Sequence, residues 1–126
     1  MSKISLTVII PSKNEEKNIG FCLEPLVGWA EEIIVVDSLS TDDTQKIAND
    51  YGARIIQFEY KGGWPKKRQY VLDTYSFETE WILLLDCDEI LSEVSKNEIG
   101  QAIRSPEFNG YYLLFKEEFF GLSCEV

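Results

Sequence analysis

Three carboxylates lie close together in the stretch WILLLDCDEIL, which spans residues 81–91. Asp86, Asp88 and Glu89 follow a run of apolar side chains that is typical of a buried strand. Carboxylates this close repel one another, so each resists ionisation unless positive charge is near. In an extended segment Asp86 and Asp88 would point to the same side and could reach one cation. Oxygen ligands without histidine or cysteine partners favour Mg²⁺ or Mn²⁺.

The alternative for this acidic cluster is a solvated turn in which one aspartate caps the next helix. The motif is too short to form a calcium-binding loop with its downstream residues. The apolar strand before the cluster favours the metal site over the solvated turn.

A basic cluster precedes the acidic one. Lys66, Lys67 and Arg68 fall in the first turn of a helix that we predict from Pro65 to about Thr74. The helix dipole disfavours cations there by roughly 0.3–1 kcal/mol each, which an anion docked between them would offset. These cations and a metal at Asp88 could share one diphosphate. The alternative is a solvated helix face, or ion pairs with nearby carboxylates.

Strands and helices alternate along the chain, which predicts an α/β sandwich with a largely parallel sheet. A capping box at Ser12 and Glu15 predicts a helix start directly after the first strand, which Pro11 should end. Ser40 or Thr41 should cap a second helix from near Asp42, and Ser92 a later one. The predicted strands are residues 6–10, 33–36, 53–58, the stretch from 81, and 111–115, and we expect no further element after the last.

Polar clusters follow three of these strands, at residues 11–15, 37–38 and 86–89. Ligands of open α/β folds bind outside the carboxyl ends of the strands, so three clusters there predict a binding site. Asp37 ends its strand where a base or ribose could lie, although it could instead cap a helix or a turn.

Composition narrows the function classes. The chain has 126 residues and 44% hydrophobic residues, which fits one globular domain. A net charge of −10 argues against a general nucleic-acid binder. Cys22, Cys87 and Cys124 form no CxxC pair and histidine is absent, so we expect reduced thiols, no structural zinc and a cytoplasmic chain. No apolar run approaches the roughly 20 residues of a membrane span.

Three segments in this order resemble family 2 glycosyltransferases of the GT-A fold: LTVIIPSKNEEKNIGFCLEPL, WAEEIIVVDSLSTDDTQKIANDYGA and WILLLDCDE. The resemblance runs from Leu6 to about Gly121 and is greatest to a bacterial lipopolysaccharide-core group that includes β-1,4-glucosyltransferase-like enzymes. It implies a Rossmann-like α/β/α sandwich, of which residues 1–126 would form the nucleotide-sugar-binding, N-terminal part of a truncated domain.

The resemblance also implies roles for individual residues. The segment from Pro11 to Glu15 would cradle the nucleoside, Asp37 would hydrogen-bond a base, uracil, and Arg68 would lie near the phosphates. Asp86 and Asp88 match the D-x-D motif and would hold Mn²⁺ or Mg²⁺. The residues implied at the nucleotide sugar are Pro11, Ser12, Lys13, Asn14, Glu15, Asp37, Ser38, Lys67, Arg68, Asp86 and Cys87.

The implied reaction is an inverting, metal-dependent transfer of a sugar from a UDP-linked donor. The implied acceptor is a glycan or a lipid-linked molecule, such as lipopolysaccharide core, at the inner face of the cytoplasmic membrane. Many relatives read DDGS where this chain has Asp37-Ser38-Leu39-Ser40. No residue is a candidate for the catalytic base, so we expect donor binding without efficient transfer. An uncovered sheet edge and apolar surface from Tyr111 to Phe120 predict self-association into a homo-oligomer.

The alternative function is a catalytically silent nucleotide-sugar-binding module. Measuring sugar transfer as well as donor binding would distinguish this module from an active enzyme. A phosphoryl-accepting signalling domain would need its acidic pair after the first strand, where this chain has Pro-Ser-Lys-Asn. A nucleotidyltransferase would need a Gly-rich phosphate loop there.

Overall fold

The computed structural model describes residues 3–59, 79 and 81–104, together with the backbone of residues 112–116 and 119–123. Its strands are β1 (Ile4–Ser12), β2 (Ala30–Asp37), β3 (Arg54–Gln57), β4 (Trp81–Leu84), β5 (Tyr112–Lys116) and β6 (Phe119–Ser123). Its helices are α1 (Ile19–Leu23), continued by a 3-10 turn (Glu24–Leu26), α2 (Thr44–Asp50) and α3 (Glu93–Arg104). The helix predicted from Pro65 to Thr74 lies outside the described residues.

The described strands form one sheet in the order β3-β2-β1-β4-β5-β6. Every pair from β3 to β5 is parallel, and β5 pairs antiparallel with β6. The predicted α/β architecture with a largely parallel sheet is therefore confirmed. The expectation of no element after the fifth strand was wrong. The segment FFGLS contains a glycine that weakens its strand signal, and β6 forms by pairing antiparallel with β5.

Apolar side chains cover both faces of the sheet, as parallel strands require. Leu6, Val8 and Ile10 of β1 belong to the larger cluster, which includes residues of all three helices. Ile9 lies on the opposite face in a second cluster with Ile34, Val36, Ile56 and Ile82. The alternation along β1 fixes its register, because a slip of one residue would exchange the two faces.

Strand β1 continues beyond the point where the sequence predicts its end. Pro11 lies inside the strand, and Ser12 is still in register with Asp37 of β2. The prediction that Pro11 ends the strand was wrong. On its other side β1 pairs with β4 only as far as Ile9, so Pro11 has one neighbouring strand instead of two. Proline is tolerated at such positions because its missing N–H interrupts no second ladder.

Helices α1 and α2 begin later than predicted, and both predicted caps were wrong. Helix α1 starts only at Ile19, and Ser12 Oγ donates to the Asp37 carboxylate instead of capping it. Helix α2 starts at Thr44 with no side-chain cap, because Ser40 also donates to Asp37. The hydroxyls that could cap the helices are used to hold the carboxyl ends of the strands together.

Helix α3 begins as predicted. Ser92 Oγ accepts the N–H of Ser95 at 3.1 Å, which is the contact of an N-cap serine. Near this end, Lys96 Nζ donates to the Pro25 carbonyl at 3.0 Å and tethers α3 to the 3-10 turn. Among the described residues, no helix is long and apolar enough to cross a membrane.

Candidate functional site

The strand order reverses between β1 and β4. From β1 the chain adds β2 and then β3 on one side, and later places β4 on the other side. The loops that leave β1 and β4 therefore diverge and open a crevice at the carboxyl edge, where α/β folds bind ligands. Lys13 and Asn14 follow β1 there, and Asp86 to Asp88 follow β4. The three polar clusters predicted to meet at one edge do so.

Asp37 is the centre of a hydrogen-bond network at this edge. Its side chain is fully buried, and its two oxygens accept four hydrogen bonds. The donors are Ser12 Oγ at 2.7 Å, Ser40 N–H at 2.9 Å, Ser40 Oγ at 2.5 Å and Gln45 Nε2 at 2.9 Å. Burial alone raises the pKa of Asp37, but the hydrogen bonds from Ser40, Ser12 and Gln45 outweigh it and leave the pKa below its ordinary value.

The loops after β1 and β2 are tied together by Asn14. Its backbone N–H donates to Ser40 Oγ at 2.8 Å, and its Oδ1 accepts the N–H of Thr41 at 2.8 Å. Asn14 has φ of 50°, a left-handed conformation that asparagine tolerates better than most residues. The N–H of Glu15 donates to Thr44 Oγ1 at 2.8 Å and adds a second tie. The loop after β1 is therefore fastened to the loop after β2 by at least three hydrogen bonds.

Leu39 adopts a strained conformation beside Asp37. Its φ is 52°, and its side chain is 54% exposed, so little burial of apolar surface repays the strain. A left-handed residue other than glycine costs roughly 1–2 kcal/mol. Leu39 occupies the glycine position of the DDGS pattern, and the backbone of this turn has the conformation that a glycine adopts freely.

Leu39→Gly is therefore expected to stabilise the fold, by about 0.5–1 kcal/mol after the greater chain entropy of unfolded glycine is subtracted. Leu39→Ala keeps a Cβ atom and hence the strain, so it should give no gain. Urea unfolding of the two variants beside the unaltered chain measures the difference. A gain in Leu39→Ala equal to that in Leu39→Gly would show that the exposed side chain, and not the backbone, causes the effect.

Ser38 carries an unsatisfied polar atom at the same edge. Its side chain is 8% exposed, and its Oγ has no hydrogen-bond partner within the described part of the chain. Burying a hydroxyl without a partner costs roughly 1–3 kcal/mol, so such groups are rare in folded proteins. Ser38 directly follows Asp37 at the end of β2, so this unpaired hydroxyl lies beside the carboxyl edge of the sheet.

The acidic cluster after β4 forms a turn. The extended geometry predicted for Asp86 and Asp88 was wrong, because β4 ends at Leu84 and the chain folds back at Cys87 and Asp88. The N–H of Glu89 donates to the Asp86 carbonyl at 3.0 Å and closes the turn. Burial still alternates from residue to residue, as it does along a strand. Asp86 and Asp88 are exposed, whereas Cys87 and Glu89 are buried.

Two thiols lie beneath this turn. Cys22 Sγ of α1 donates to the Asp86 carbonyl at 3.7 Å. Burial, followed by the negative charges of Glu89, Asp88 and Asp86, raises the pKa of the Cys22 thiol to about 12, so the thiol stays protonated and can donate. Burial likewise raises the pKa of Cys87, whose side chain lies in the apolar core. A ligand could therefore reach Cys87 only through its backbone, and not through its thiol.

The donors at the turn suit a hard divalent cation. Asp86 and Asp88 offer two exposed carboxylates, and Mg²⁺ is commonly held by one or two carboxylates with water and substrate phosphate as the remaining ligands. Among the described residues no group of three or more His, Cys, Asp or Glu side chains could hold a metal alone. A cation here would therefore complete its shell with water and with oxygen atoms of a bound phosphate. The basic residues predicted to share that phosphate, Lys66 to Arg68, lie outside the described residues.

A family model described as glycosyl transferase family 2 matches residues 7–114. The chain belongs to this family.

Relatives in the glycosyltransferase family cover most of this chain. An uncharacterized glycosyltransferase of Rickettsia typhi is 37% identical over 115 residues, which is 88% of this chain and 36% of that protein. The glycosyltransferase SunS of Bacillus subtilis is 35% identical over 97 residues, or 75% of this chain and 22% of that protein. The family 2 chain described here thus spans about a third or less of the length of these relatives.

Solved glycosyltransferase structures share the fold. S. aureus TarS in complex with UDP superposes with a TM-score of 0.62 at 28% identity, covering 81% of this chain and 31% of that chain. Glucosyl-3-phosphoglycerate synthase from Mycobacterium tuberculosis, in complex with Mn²⁺, UDP and glucosyl-3-phosphoglycerate, gives a TM-score of 0.53 at 29% identity over 65% of this chain and 33% of that chain. The GT-A fold expected for this family 2 chain is confirmed.

Several residues of the site escaped the sequence interpretation. Ser40 and Gln45 donate to Asp37, and Thr44 Oγ1 accepts the N–H of Glu15 in the loop after β1, whereas the sequence predicts all three as helix residues or caps. Nothing in the local pattern separates a capping hydroxyl from one that bonds a neighbouring loop. Glu89 was noted only as a third charge, although its spacing of three residues from Asp86 is the signal of a closed turn.

Proposed function

We propose that the chain binds a UDP-linked sugar at the carboxyl edge of its sheet and serves the transfer of that sugar to an acceptor hydroxyl. The observation that carries the proposal is the placement of the Asp37 network and the exposed Asp86 and Asp88 around one crevice at the switch point of the sheet. Two similar proteins crystallised with UDP, one of them also with Mn²⁺, support this ligand class.

The first contact that we propose is between the uracil base of the nucleotide and Asp37. All four lone-pair positions of the Asp37 carboxylate are used within the chain, so uracil N3–H can bind only by replacing one donor. Gln45 Nε2 is the donor that exchanges most easily, because it belongs to a half-buried side chain, whereas Ser40 N–H belongs to the backbone. A second contact is proposed for Ser38, whose buried Oγ has no partner among the described residues and would gain one by turning toward the nucleoside.

The diphosphate would lie over the turn after β4. Asp86 and Asp88 would hold Mn²⁺ or Mg²⁺, with Asp88 the more direct ligand and Asp86 nearer the ribose. When bound, the metal neutralises charge on the diphosphate leaving group as a Lewis acid. Without a cation, the exposed carboxylates would repel the diphosphate, so the two aspartates make this end of the crevice selective for a metal-bound nucleotide.

The basic cluster and the nucleoside cradle complete the proposed donor site. Lys67 and Arg68 are proposed to contact the phosphates, and the loop from Pro11 to Glu15 to follow the ribose and base. Within that loop Ser12 acts through Asp37, because its hydroxyl is buried and already donates to that carboxylate. Residues 1–126 together are proposed as the nucleotide-sugar-binding part of the GT-A domain.

The reaction that we propose is an inverting transfer. A general base, which we assign to none of the residues named here, deprotonates the acceptor hydroxyl. The acceptor is proposed to be a glycan or a lipid-linked sugar, such as lipopolysaccharide core, at the cytoplasmic face of the membrane. This acceptor class rests on the resemblance of the sequence motifs alone.

Nucleotide selectivity tests the proposed donor site. In the presence of Mn²⁺ we expect UDP to bind at least about tenfold more tightly than CDP, a difference of about 1.4 kcal/mol. Uracil N3–H can donate to Asp37, whereas cytosine N3 has no hydrogen and would face the carboxylate with its own lone pair. Calorimetric titration of UDP, CDP, ADP and GDP gives the four affinities. Equal affinities for UDP and CDP would contradict the proposed contact between Asp37 and the base.

A further inference from the structure

Glu89 differs from the other two carboxylates of the acidic turn. Its side chain is 6% exposed, whereas Asp86 and Asp88 are both exposed. Glu89 Oε1 accepts the backbone N–H of Asp86 at 2.8 Å, and Glu89 N–H donates to the Asp86 carbonyl at 3.0 Å. One residue thus binds both backbone polar groups of Asp86.

The burial of Glu89 is costly unless its charge is used. An isolated carboxylate loses several kcal/mol of hydration when it is removed from water, and a charge-assisted hydrogen bond to an amide offsets part of that loss. A glutamine would present a neutral acceptor of the same shape, and an apolar residue would fill the same space. The hydrogen bond from the Asp86 N–H to Glu89 Oε1 offsets part of this cost and ties the buried side chain to the geometry of the turn.

Glu89 is placed to hold the turn, whereas Asp86 and Asp88 are placed to bind a metal. A metal ligand at this crevice must reach solvent, as Asp86 and Asp88 do, whereas the Glu89 carboxylate is directed at the Asp86 amide inside the turn. Cys22 Sγ of α1 contacts the Asp86 carbonyl from beneath at 3.7 Å. The N–H and carbonyl of Asp86 are thus both bonded within the fold, while its side chain stays exposed.

We propose that Glu89 is a positioning residue that sets the Asp86 backbone, and thereby the carboxylate pair, for a divalent cation and its diphosphate. The inference rests on the proposed function, because it assigns Glu89 a role at that same metal site. Residues that orient metal ligands typically change metal affinity by about 10–100-fold when they are replaced.

Two variants of Glu89 separate positioning from direct ligation. Glu89→Gln keeps an oxygen that can accept the Asp86 N–H, and Glu89→Leu removes it at similar size. We expect Mn²⁺-dependent UDP affinity to fall about 10–100-fold in Glu89→Leu and to be largely retained in Glu89→Gln. Affinity for UDP in excess chelator should stay unchanged in both. Glu93→Gln, which removes an exposed charge at the start of α3, is the matched control.

A second readout does not depend on nucleotide or metal. In the metal-free protein the amide proton of Asp86 should resonate downfield, as a proton bonded to a carboxylate does. Its resonance should move upfield and its hydrogen exchange should accelerate in Glu89→Leu, and both changes should be smaller in Glu89→Gln.

The outcomes distinguish this inference from the proposed function. If the unaltered chain binds UDP without any metal dependence, the proposed metal site fails, and the Asp86 amide still reports whether Glu89 holds the turn. If Glu89→Gln loses as much Mn²⁺ dependence as Glu89→Leu, the charge itself contacts the metal and the positioning role is overturned. Full Mn²⁺ dependence in Glu89→Leu overturns it too. If Glu89→Leu does not fold, Glu89→Gln alone decides, because a ligand role predicts a large loss and a positioning role a small one.

Discussion

Asp37→Asn is expected to lower the free energy of unfolding at neutral pH by about 2–3 kcal/mol and to weaken UDP binding at least about tenfold. The buried carboxylate accepts four hydrogen bonds, and those to a charged acceptor are the strongest class. In asparagine one oxygen becomes an NH₂ group, which would meet either the two serine hydroxyls or the N–H groups of Ser40 and Gln45. In both orientations the charge is lost, together with acceptor positions that these donors use.

The pH dependence of this loss follows from the lowered pKa of Asp37. Because the folded-state pKa lies below the unfolded value of about 3.9, the carboxylate stabilises the fold fully above that value. The contribution is lost as the pH falls through the folded-state pKa. The unaltered chain and Asp37→Asn should therefore differ most near neutral pH and converge in acid, below about pH 4.

Urea unfolding at several pH values measures both effects. Asp50→Asn is the control, because Asp50 forms an exposed pair with Lys46 and its replacement should change stability by less than about 0.5 kcal/mol. A difference between the unaltered chain and Asp37→Asn that stays constant down to strong acid would contradict the charged state assigned to Asp37. No destabilisation at neutral pH would contradict the role of the network.

The second large effect is expected at the acidic turn. Asp88→Asn should remove most of the gain in UDP affinity that Mn²⁺ provides, and Asp86→Asn a smaller part. An amide oxygen is a neutral and weaker ligand than a carboxylate, and loss of a direct ligand should cost at least the roughly tenfold that outer contacts cost. In chelator, Asp88→Asn should bind UDP slightly more tightly than the unaltered chain, because one charge that repels the diphosphate is gone.

Glu98→Gln is the control for this pair. Glu98 is an exposed carboxylate of α3, so its replacement changes the net charge equally without touching the turn. Titrations of UDP into each variant, with Mn²⁺ and with chelator, give the ratio of the two affinities. If Glu98→Gln lowers that ratio as much as Asp88→Asn does, the metal effect reflects overall charge and not ligation by the turn.

The sequence predicts the sheet correctly because each central strand can be recognised from its own residues, without knowledge of its neighbours. β1, β2 and β4 each contain a continuous apolar run, which in a parallel sheet indicates a strand that is covered on both faces. The polar residues that follow such runs necessarily meet at one edge. Asp37, Asp86 and Asp88 could thus be assigned to one crevice without knowledge of any distance.

The contacts that hold this crevice could not be predicted in the same way. Asn14 bonds Ser40 and Thr41, residues 26 and 27 positions away, and no local pattern encodes such a pairing. Ser12 and Ser40 each had two possible partners, a helix N-terminus or Asp37, and the choice depends on the register of β1 against β2. The sequence does not reveal the turn after β4, because the apolar run continues directly into DCDE and no glycine or proline marks the change of direction.

The central claim is that Asp86 and Asp88 bind a nucleotide through a divalent cation. Calorimetric titration of UDP into the unaltered chain, once with Mn²⁺ and once with excess chelator, tests it most directly. We expect the affinity with Mn²⁺ to be at least about tenfold higher, which corresponds to about 1.4 kcal/mol. Equal affinity under both conditions, or no binding under either, would contradict the claim.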